Sequence, residues 1–462
     1  MRNGPSQTIS PPIFPIQPCA SLLPSCSPSR TPRASHEKAR PLTLRRQSRP
    51  GFRLVAYIVV WSSEMTASEL PIVPVTKPLL PDLATVNRTI ADIWATAWLT
   101  NMGAQHRELE SRLAYFLGVP FVSLFNNGTV ALQIALKSLD LPAGGEVIVT
   151  PFTFPASVHV IDACGLTPIF CDIDPVTLTI DPVRIETLIT DRTCAILGVH
   201  VYGIACDVKA IDALAAKHGV KVIYDAAHAF ATRVDGKPIS LFGDITMHSF
   251  HATKLFHTVE GGALISPHAE LQRTIYLQRN FGIANEETIL LAGLNGKMNE
   301  LQAGVGLAVL DMVKDEWERR RSLLEQYRTL ISAMRGITIL EPQAGVTPSY
   351  QYLPVRIDPD QAGFTRDTLH GRFREKNVLA RKYFYPLCSD APHYRNLPSA
   401  QASNLPVATQ AAKEVLCLPF FGALTASDLA RIFNVMIAVY EEYHSASPAT
   451  AGLATAAMGR RG

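Results

Sequence analysis

Met247-His248-Ser249-Phe250-His251-Ala252-Thr253-Lys254-Leu255-Phe256-His257-Thr258-Val259-Glu260-Gly261-Gly262 places one lysine in a setting suited to covalent cofactor chemistry. The run enters as a strand over Thr246 to Phe250, turns polar at His251-Ala252-Thr253, and leaves through a Glu-Gly-Gly turn. Neither the polar run nor the turn makes an amphipathic helix face. A solvated surface position is the ordinary reading of any lysine, but this setting marks Lys254 as a Schiff-base lysine. An amine is nucleophilic only when deprotonated, which requires desolvation or capture as an imine.

Upstream, Val222-Ile223-Tyr224-Asp225-Ala226-Ala227-His228-Ala229 reads as a buried strand that delivers a carboxylate and an imidazole at its carboxyl end. Open α/β sheets place their ligands at that end. An Asp and a Lys in this order suggest pyridoxal phosphate, whose ring acts as an electron sink only while a carboxylate keeps its nitrogen protonated. Asp225 can fill that role.

A third segment supplies an anion site. Leu124-Phe125-Asn126-Asn127-Gly128-Thr129-Val130 leads into Ala131 to Leu139, whose apolar spacing is helical, so Gly128 and Thr129 sit at a helix start. Free N–H groups and the positive end of the helix dipole favour a phosphate there. By itself Asn-Gly-Thr is equally an N-cap and turn signal. Its position before this helix favours the phosphate reading.

With these motifs in order, the chain resembles the DegT/DnrJ-type nucleotide-sugar aminotransferases, which have the fold-type I pyridoxal-phosphate architecture. The likeness runs from about Val75 to about Tyr443. It takes in Gly145 to Phe154, Val199-His200-Val201-Tyr202-Gly203, Asp225 to Ala229, Ser249 to Lys254 and Gly293 to Ala303. The resemblance implies that Lys254 carries the cofactor and that Asp225 partners its ring nitrogen. It implies that His228 lies near the phenolic oxygen, that Phe154 stacks on the ring, and that Ser249 joins Gly128 and Thr129 at the phosphate. Asn295 would reach the phosphate of the neighbouring subunit's cofactor, making the working unit a homodimer. Ordinary core is the alternative for Phe154, and a satisfied buried histidine for His228. Arg381-Lys382-Tyr383-Phe384-Tyr385-Pro386-Leu387 and Asn280-Phe281-Gly282-Ile283 resemble members acting on dTDP-linked 4-keto-6-deoxyhexoses. Arg381 and Lys382 are either diphosphate contacts or a solvated basic turn.

The expected function is therefore a pyridoxal-phosphate aminotransferase moving an amino group from L-glutamate to a keto-sugar nucleotide, with dTDP-4-dehydro-6-deoxyglucose the first choice. The alternatives are a 3-keto aminotransferase, a sugar dehydratase of the same fold, or a noncatalytic cofactor-binding regulator. Dehydratase relatives replace the lysine with histidine, so Lys254 argues against that class. A regulator calls for an added DNA-binding module, and neither end of the chain shows a helix-turn-helix pattern.

Composition bounds the same reading. With 462 residues, 47% of them hydrophobic, the chain can bury a large core, and about 150 residues per domain suggests two or three domains. The net charge of +3 is asymmetric: residues 1–64 hold nine Lys and Arg against Glu37 and Glu64, so the rest is mildly acidic. No basic stripe of the kind nucleic-acid binding needs is present, and nucleic acid and membrane are not expected partners.

Residues 1–64 are Pro-, Ser- and Arg-rich, and their one apolar run, Leu54 to Trp61, is too short to span a bilayer. They read as a disordered or non-native extension preceding Met65, with a transit peptide as the less favoured alternative because its prolines oppose an amphipathic helix. The eight cysteines show no CxxC pair and no regular spacing, so neither a metal site nor a disulfide framework is expected. A reducing cytoplasm is the simplest compartment.

Strands are expected at Glu146 to Thr150, Thr167 to Ile173, Cys194 to His200, Lys221 to Tyr224 and Thr246 to Phe250, with helices such as Val208 to His218 between them. That alternation predicts a mainly parallel sheet covered on both faces. Helices are also expected at Ile90 to Trp98 and Gln105 to Leu117. A single long helix from Asn299 to Leu330 would lead into a smaller domain with a strand at Gln351 to Ile357 and a helix at Arg366 to Lys376. The division reads as a large cofactor-binding domain over 65–310, a small α/β domain over 311–444, and a frayed Ala- and Gly-rich tail over 445–462.

Overall fold

A computed structural model describes residues 70–444. The expectations for the 1–64 extension and the 445–462 tail lie outside the described residues. Seven strands form the main sheet: β1 (Ser123–Phe125), β2 (Glu146–Val149), β3 (Thr167–Phe170), β4 (Thr193–Val199), β5 (Lys221–Asp225), β6 (Ile245–Ser249) and β7 (Gly262–Ile265). Their order is β1-β7-β6-β5-β4-β2-β3, and β2 through β6 pair parallel where they are neighbours. Sequences such as Thr193-Cys194-Ala195-Ile196-Leu197-Gly198-Val199 are apolar throughout because helices cover both faces of a parallel sheet.

The helices Pro155–Ala163, Pro182–Leu188 and Val208–His218 make the crossovers that return the chain to the start of the next parallel strand. The chain moves outward from β2 to β3, then jumps back across β2 to β4 and continues to β5 and β6. This reversal opens a crevice at the carboxyl ends of the strands. The loop over residues 250–261 between β6 and β7 holds no crossover helix, and β7 returns antiparallel, pairing Ser249 with Gly262. Lys254 lies in that loop.

The Glu-Gly-Gly turn has a packing reason. A Cβ on Gly261 would lie 1.9 Å from Thr258 Oγ1, and one on Gly262 would lie 2.8 Å from both the Asn127 carbonyl oxygen and Gly128 Cα. Glycine at these positions lets the Lys254 loop close beside the start of the Gly128–Lys137 helix.

A second, antiparallel sheet joins Ile337–Ile339, Leu353–Ile357 and Val415–Leu418. It packs around Tyr327, Phe373, Phe420 and Met436. Packing is continuous between the two sheets, since Tyr352, Phe384, Leu405 and Cys417 share a core with Val147, Leu197 and Ile223. We propose that the 65–310 and 311–444 division follows the two sheets, the second packed on a core of its own and joined to the first through Tyr352, Phe384 and Cys417.

The single helix expected over 299–330 is two helices, Glu300–Leu310 and Val313–Ile331. The first is apolar and packs so closely that a Cβ on Gly306 would meet Leu109 at 2.8 Å and one on Gly304 would meet Thr89 at 2.4 Å. The second is amphipathic and lays Leu323, Tyr327 and Ile331 on the antiparallel sheet. The two halves face different partners, and the chain bends between them. The first helix spans Leu83–Thr96 rather than starting at Ile90, because Asp82 caps it by accepting from the Thr85 N–H at 3.0 Å. Among the described residues no helix is long and apolar enough to cross a membrane.

Candidate active site

Lys254 follows β6 in the loop that β7 closes. Its own N–H donates to the His251 carbonyl at 2.8 Å. The amine carries no hydrogen bond or ion pair to any described residue, and it lies over the Tyr352 ring, 5.7 Å from its centroid. The side chain is half-buried, and desolvation pushes the ammonium down to about 8, against the opposing pull of the Asp225 carboxylate. A lysine in this state is partly neutral near physiological pH and free to attack a carbonyl.

Asp225 ends β5 and is buried. Its Oδ1 accepts from the Ala227 N–H at 2.9 Å and its Oδ2 from the Ser157 hydroxyl at 2.8 Å. Ser157 in turn shares a 2.9 Å hydrogen bond with Thr153. Burial raises the carboxyl above its ordinary range, while the two donors and Lys254 hold it down.

His228 accepts the Tyr202 N–H on Nδ1 at 3.1 Å. Burial, followed by the charge of Lys254, lowers its protonation well below the usual histidine range. A neutral ring accepting on Nδ1 carries its hydrogen on Nε2, so His228 presents a donor there. Phe384 lies nearly parallel to it, with centroids 5.9 Å apart.

The anion corner forms where Asn127 caps the Gly128–Lys137 helix, accepting from the Val130 N–H at 2.8 Å. Gly128 sits against Ser249: a Cβ there would come within 3.1 Å of Ser249 Cβ and 3.3 Å of its hydroxyl. Only a bare backbone can bring the helix start and the Ser249 hydroxyl to one point.

These groups share one cavity of about 820 Å³, lined by Gly128, Thr129, Phe154, Asp225, His228, Ser249 and Lys254 among others. Phe154 is 59% exposed there, which rules out the core alternative for it. Asn295 does not line this cavity. Its side chain accepts from Lys297 Nζ at 3.1 Å, while its carbonyl accepts weakly from Asn126 Nδ2 at 3.4 Å. Arg381 also lines the cavity, whereas Lys382 is paired with Asp367 at 2.7 Å. Residues not anticipated from the sequence are Ser157, Tyr352 and Gln351, each brought to the site by tertiary packing and carrying no local motif, whereas Tyr383 enters the cavity with Arg381 from the quoted 381–387 segment.

The residues fit pyridoxal phosphate. An unpaired amine, a buried carboxylate, an exposed aromatic face and a helix start beside a hydroxyl are the four contacts its aldehyde, ring nitrogen, ring and phosphate require.

Residues 83–437 match the DegT/DnrJ/EryC1/StrS aminotransferase family. The chain belongs to this family. It is 42% identical over 368 residues to dTDP-4-amino-4,6-dideoxy-D-glucose transaminase of Escherichia coli, covering 79% of this chain and 98% of that protein. It is 30% identical to GDP-perosamine synthase of Caulobacter vibrioides, covering 80% and 98% respectively. Among solved structures, DesI in the presence of its TDP-sugar product superposes with a TM-score of 0.76 at 33% identity, covering 81% of this chain and 94% of that one. The fold is that of the fold-type I pyridoxal-phosphate enzymes, and the chain is a sugar aminotransferase of a pyridoxal-phosphate-dependent family.

Proposed function

We propose that this aminotransferase moves an amino group from L-glutamate to the C4 ketone of dTDP-4-dehydro-6-deoxyglucose, using pyridoxal phosphate held by Lys254. The observation that carries the chemistry is the unpaired, desolvated Lys254 amine in one cavity with the buried Asp225 carboxylate. The choice of sugar nucleotide rests on the 42% identity to the Escherichia coli transaminase and on the Arg381 to Leu387 segment.

When bound, the cofactor supplies an aldehyde that carries the amino group and a ring that takes up electron density. Lys254 Nζ would take the proton from the donor carbon that bears the amino group and return it across the amine nitrogen to the carbon the cofactor's aldehyde supplies. Asp225, steadied by Ser157 and the Ala227 N–H, would hold the proton on the ring nitrogen. His228 would donate from Nε2 to the phenolic oxygen, and Phe154 would cover the ring. Gly128, Thr129 and Ser249 would bind the phosphate, and Arg381 would face the diphosphate.

The working unit in this reading is a homodimer in the cytoplasm. Trp94, Trp98, Leu99, Phe281, Ile289 and Leu290 are exposed apolar side chains, the kind of surface a second copy would cover. Asn295, which serves no group in its own cavity, would complete the partner's phosphate site.

The test is to incubate purified protein with glutamate and a panel of dTDP-, GDP- and UDP-linked keto sugars. Amination of the dTDP-4-keto-6-deoxy sugar with release of 2-oxoglutarate is expected. Turnover confined to a 3-keto sugar, or to another nucleotide, overturns the assignment of substrate.

A further inference from the structure

We propose that Gln351 is a positioning residue for Lys254, holding the two peptide groups on either side of it; this rests on the reading of Lys254 as the cofactor lysine. Gln351 Oε1 accepts from the Leu255 N–H at 2.6 Å, and its Nε2 donates to the Thr253 carbonyl at 3.0 Å. Those groups belong to the peptide bonds immediately before and after the Lys254 Cα. One side-chain amide therefore pins the lysine backbone at two points, with donor and acceptor each used once on the loop.

Gln351 is itself fixed. It is 1% exposed and lies just before the Leu353–Ile357 strand. Arg320 Nη1 donates to its carbonyl at 3.2 Å and to that of Tyr350 at 3.1 Å. Its N–H donates to Ser349 Oγ at 3.3 Å, and Ser349 donates to the His228 carbonyl at 2.6 Å. Arg320 is buried against Glu316 at 2.7 Å, and Glu316 also accepts from the Gly422 N–H at 2.8 Å. A continuous polar chain thus runs from the Val313–Ile331 helix to the peptides flanking Lys254. The same strap places the Tyr352 ring edge-on to His228, with centroids 4.8 Å apart.

The chemistry requires such a support. As the cofactor lysine, Lys254 would join Nζ to the aldehyde carbon through a C=N bond, its two hydrogens leaving with the aldehyde oxygen as water. The lysine must then return to the same carbon after each cycle. Its side chain has four rotatable bonds, and the loop on which it stands has no helix or strand to fix it. A backbone held at both flanks confines the amine's search to those side-chain torsions, and small misplacements of a reacting group are costly.

A glutamine that merely satisfied buried peptides would matter equally with or without the lysine, and a double-mutant cycle separates the two roles. Apo forms of the native protein, Gln351→Leu, Lys254→Ala and the double variant are titrated with pyridoxal phosphate by absorbance, and their melting temperatures are recorded. We expect Gln351→Leu to weaken binding about tenfold in the Lys254 protein, or about 1.4 kcal/mol, and less than about twofold in the Lys254→Ala protein. Equal weakening in both backgrounds, or none in the native one, overturns the proposal. If Lys254→Ala alone leaves both affinity and spectrum unchanged, the reading of Lys254 itself is wrong and the proposal falls with it. Should Gln351→Leu fail to fold, Gln351→Glu keeps the acceptor toward Leu255 and is carried through the same cycle, with weakening again expected only where Lys254 is present.

Discussion

Lys254 is an amine without a partner, standing in a wall that also holds a buried carboxylate, and its behaviour with pH follows from that placement. Desolvation lowers its pKa to about 8, so the neutral, reactive form is reached at lower pH than for a solvated lysine. Roughly one-tenth of such a group is neutral at pH 7. The rate at which apo protein captures pyridoxal phosphate should therefore rise about tenfold from pH 7 and level off above pH 8 to 9. A rate still climbing about tenfold per unit between pH 8 and pH 9 would mean an unperturbed lysine. At Asp225, replacement by Asn should leave cofactor bound but slow turnover by ~10² or more, about 3 kcal/mol of transition-state stabilisation. Single-turnover kinetics on the holo variant check this, and an unchanged rate would remove Asp225 from the chemistry. Both residues stand out in the sequence because a strand end and a polar turn surround them with unusual neighbours. Ser157 and Gln351 do not, since a serine within a helix and a glutamine before a strand look ordinary until folding brings them to Asp225 and Lys254.

Among the elements, the meeting of the Gly128–Lys137 helix with the β6 to β7 loop is the joint most sensitive to volume. Gly262→Ala would drive a methyl group into the Asn127 carbonyl and Gly128 Cα at 2.8 Å. That overlap should cost about 1–3 kcal/mol of stability and weaken cofactor binding by displacing the anion corner. Chemical denaturation and a pyridoxal-phosphate titration measure the two effects, and a variant native in both would show that the joint yields freely. The alternating strands and helices of the main sheet follow directly from apolar runs of strand length separated by helical spacing, and β4 and β5 lie within a residue of their expected bounds. Periodicity carried on through Asp311 because both helical halves are helix-forming. What separates them is a change of packing partner, which local sequence does not encode. The N-terminal helix begins earlier than its apolar pattern because Asp82 supplies the cap.

For the whole molecule, the family match across residues 83–437 places the catalytic fold well after the basic, proline-rich start of the chain. Removing residues 1–64 should leave melting temperature and turnover unchanged, and loss of either in the shorter protein would assign that segment a part in the body. If Asn295 serves the partner's site, Lys254→Ala and Asn295→Ala chains should each be impaired alone. Mixed, they should recover part of the activity, because one site of a mixed dimer keeps both native residues. No recovery after proven subunit exchange between two impaired parents would rule out the shared site. The catalytic groups of one cavity are legible in a single chain, whereas Asn295 lines no part of that cavity, and the role proposed for it needs a second copy. The central claim, that one lysine holds the cofactor, has a direct measurement. Borohydride reduction of the holo protein, followed by proteolysis and mass spectrometry, should find the pyridoxyl phosphate group on the peptide containing Lys254; finding it on a different lysine, or on none, would contradict the account.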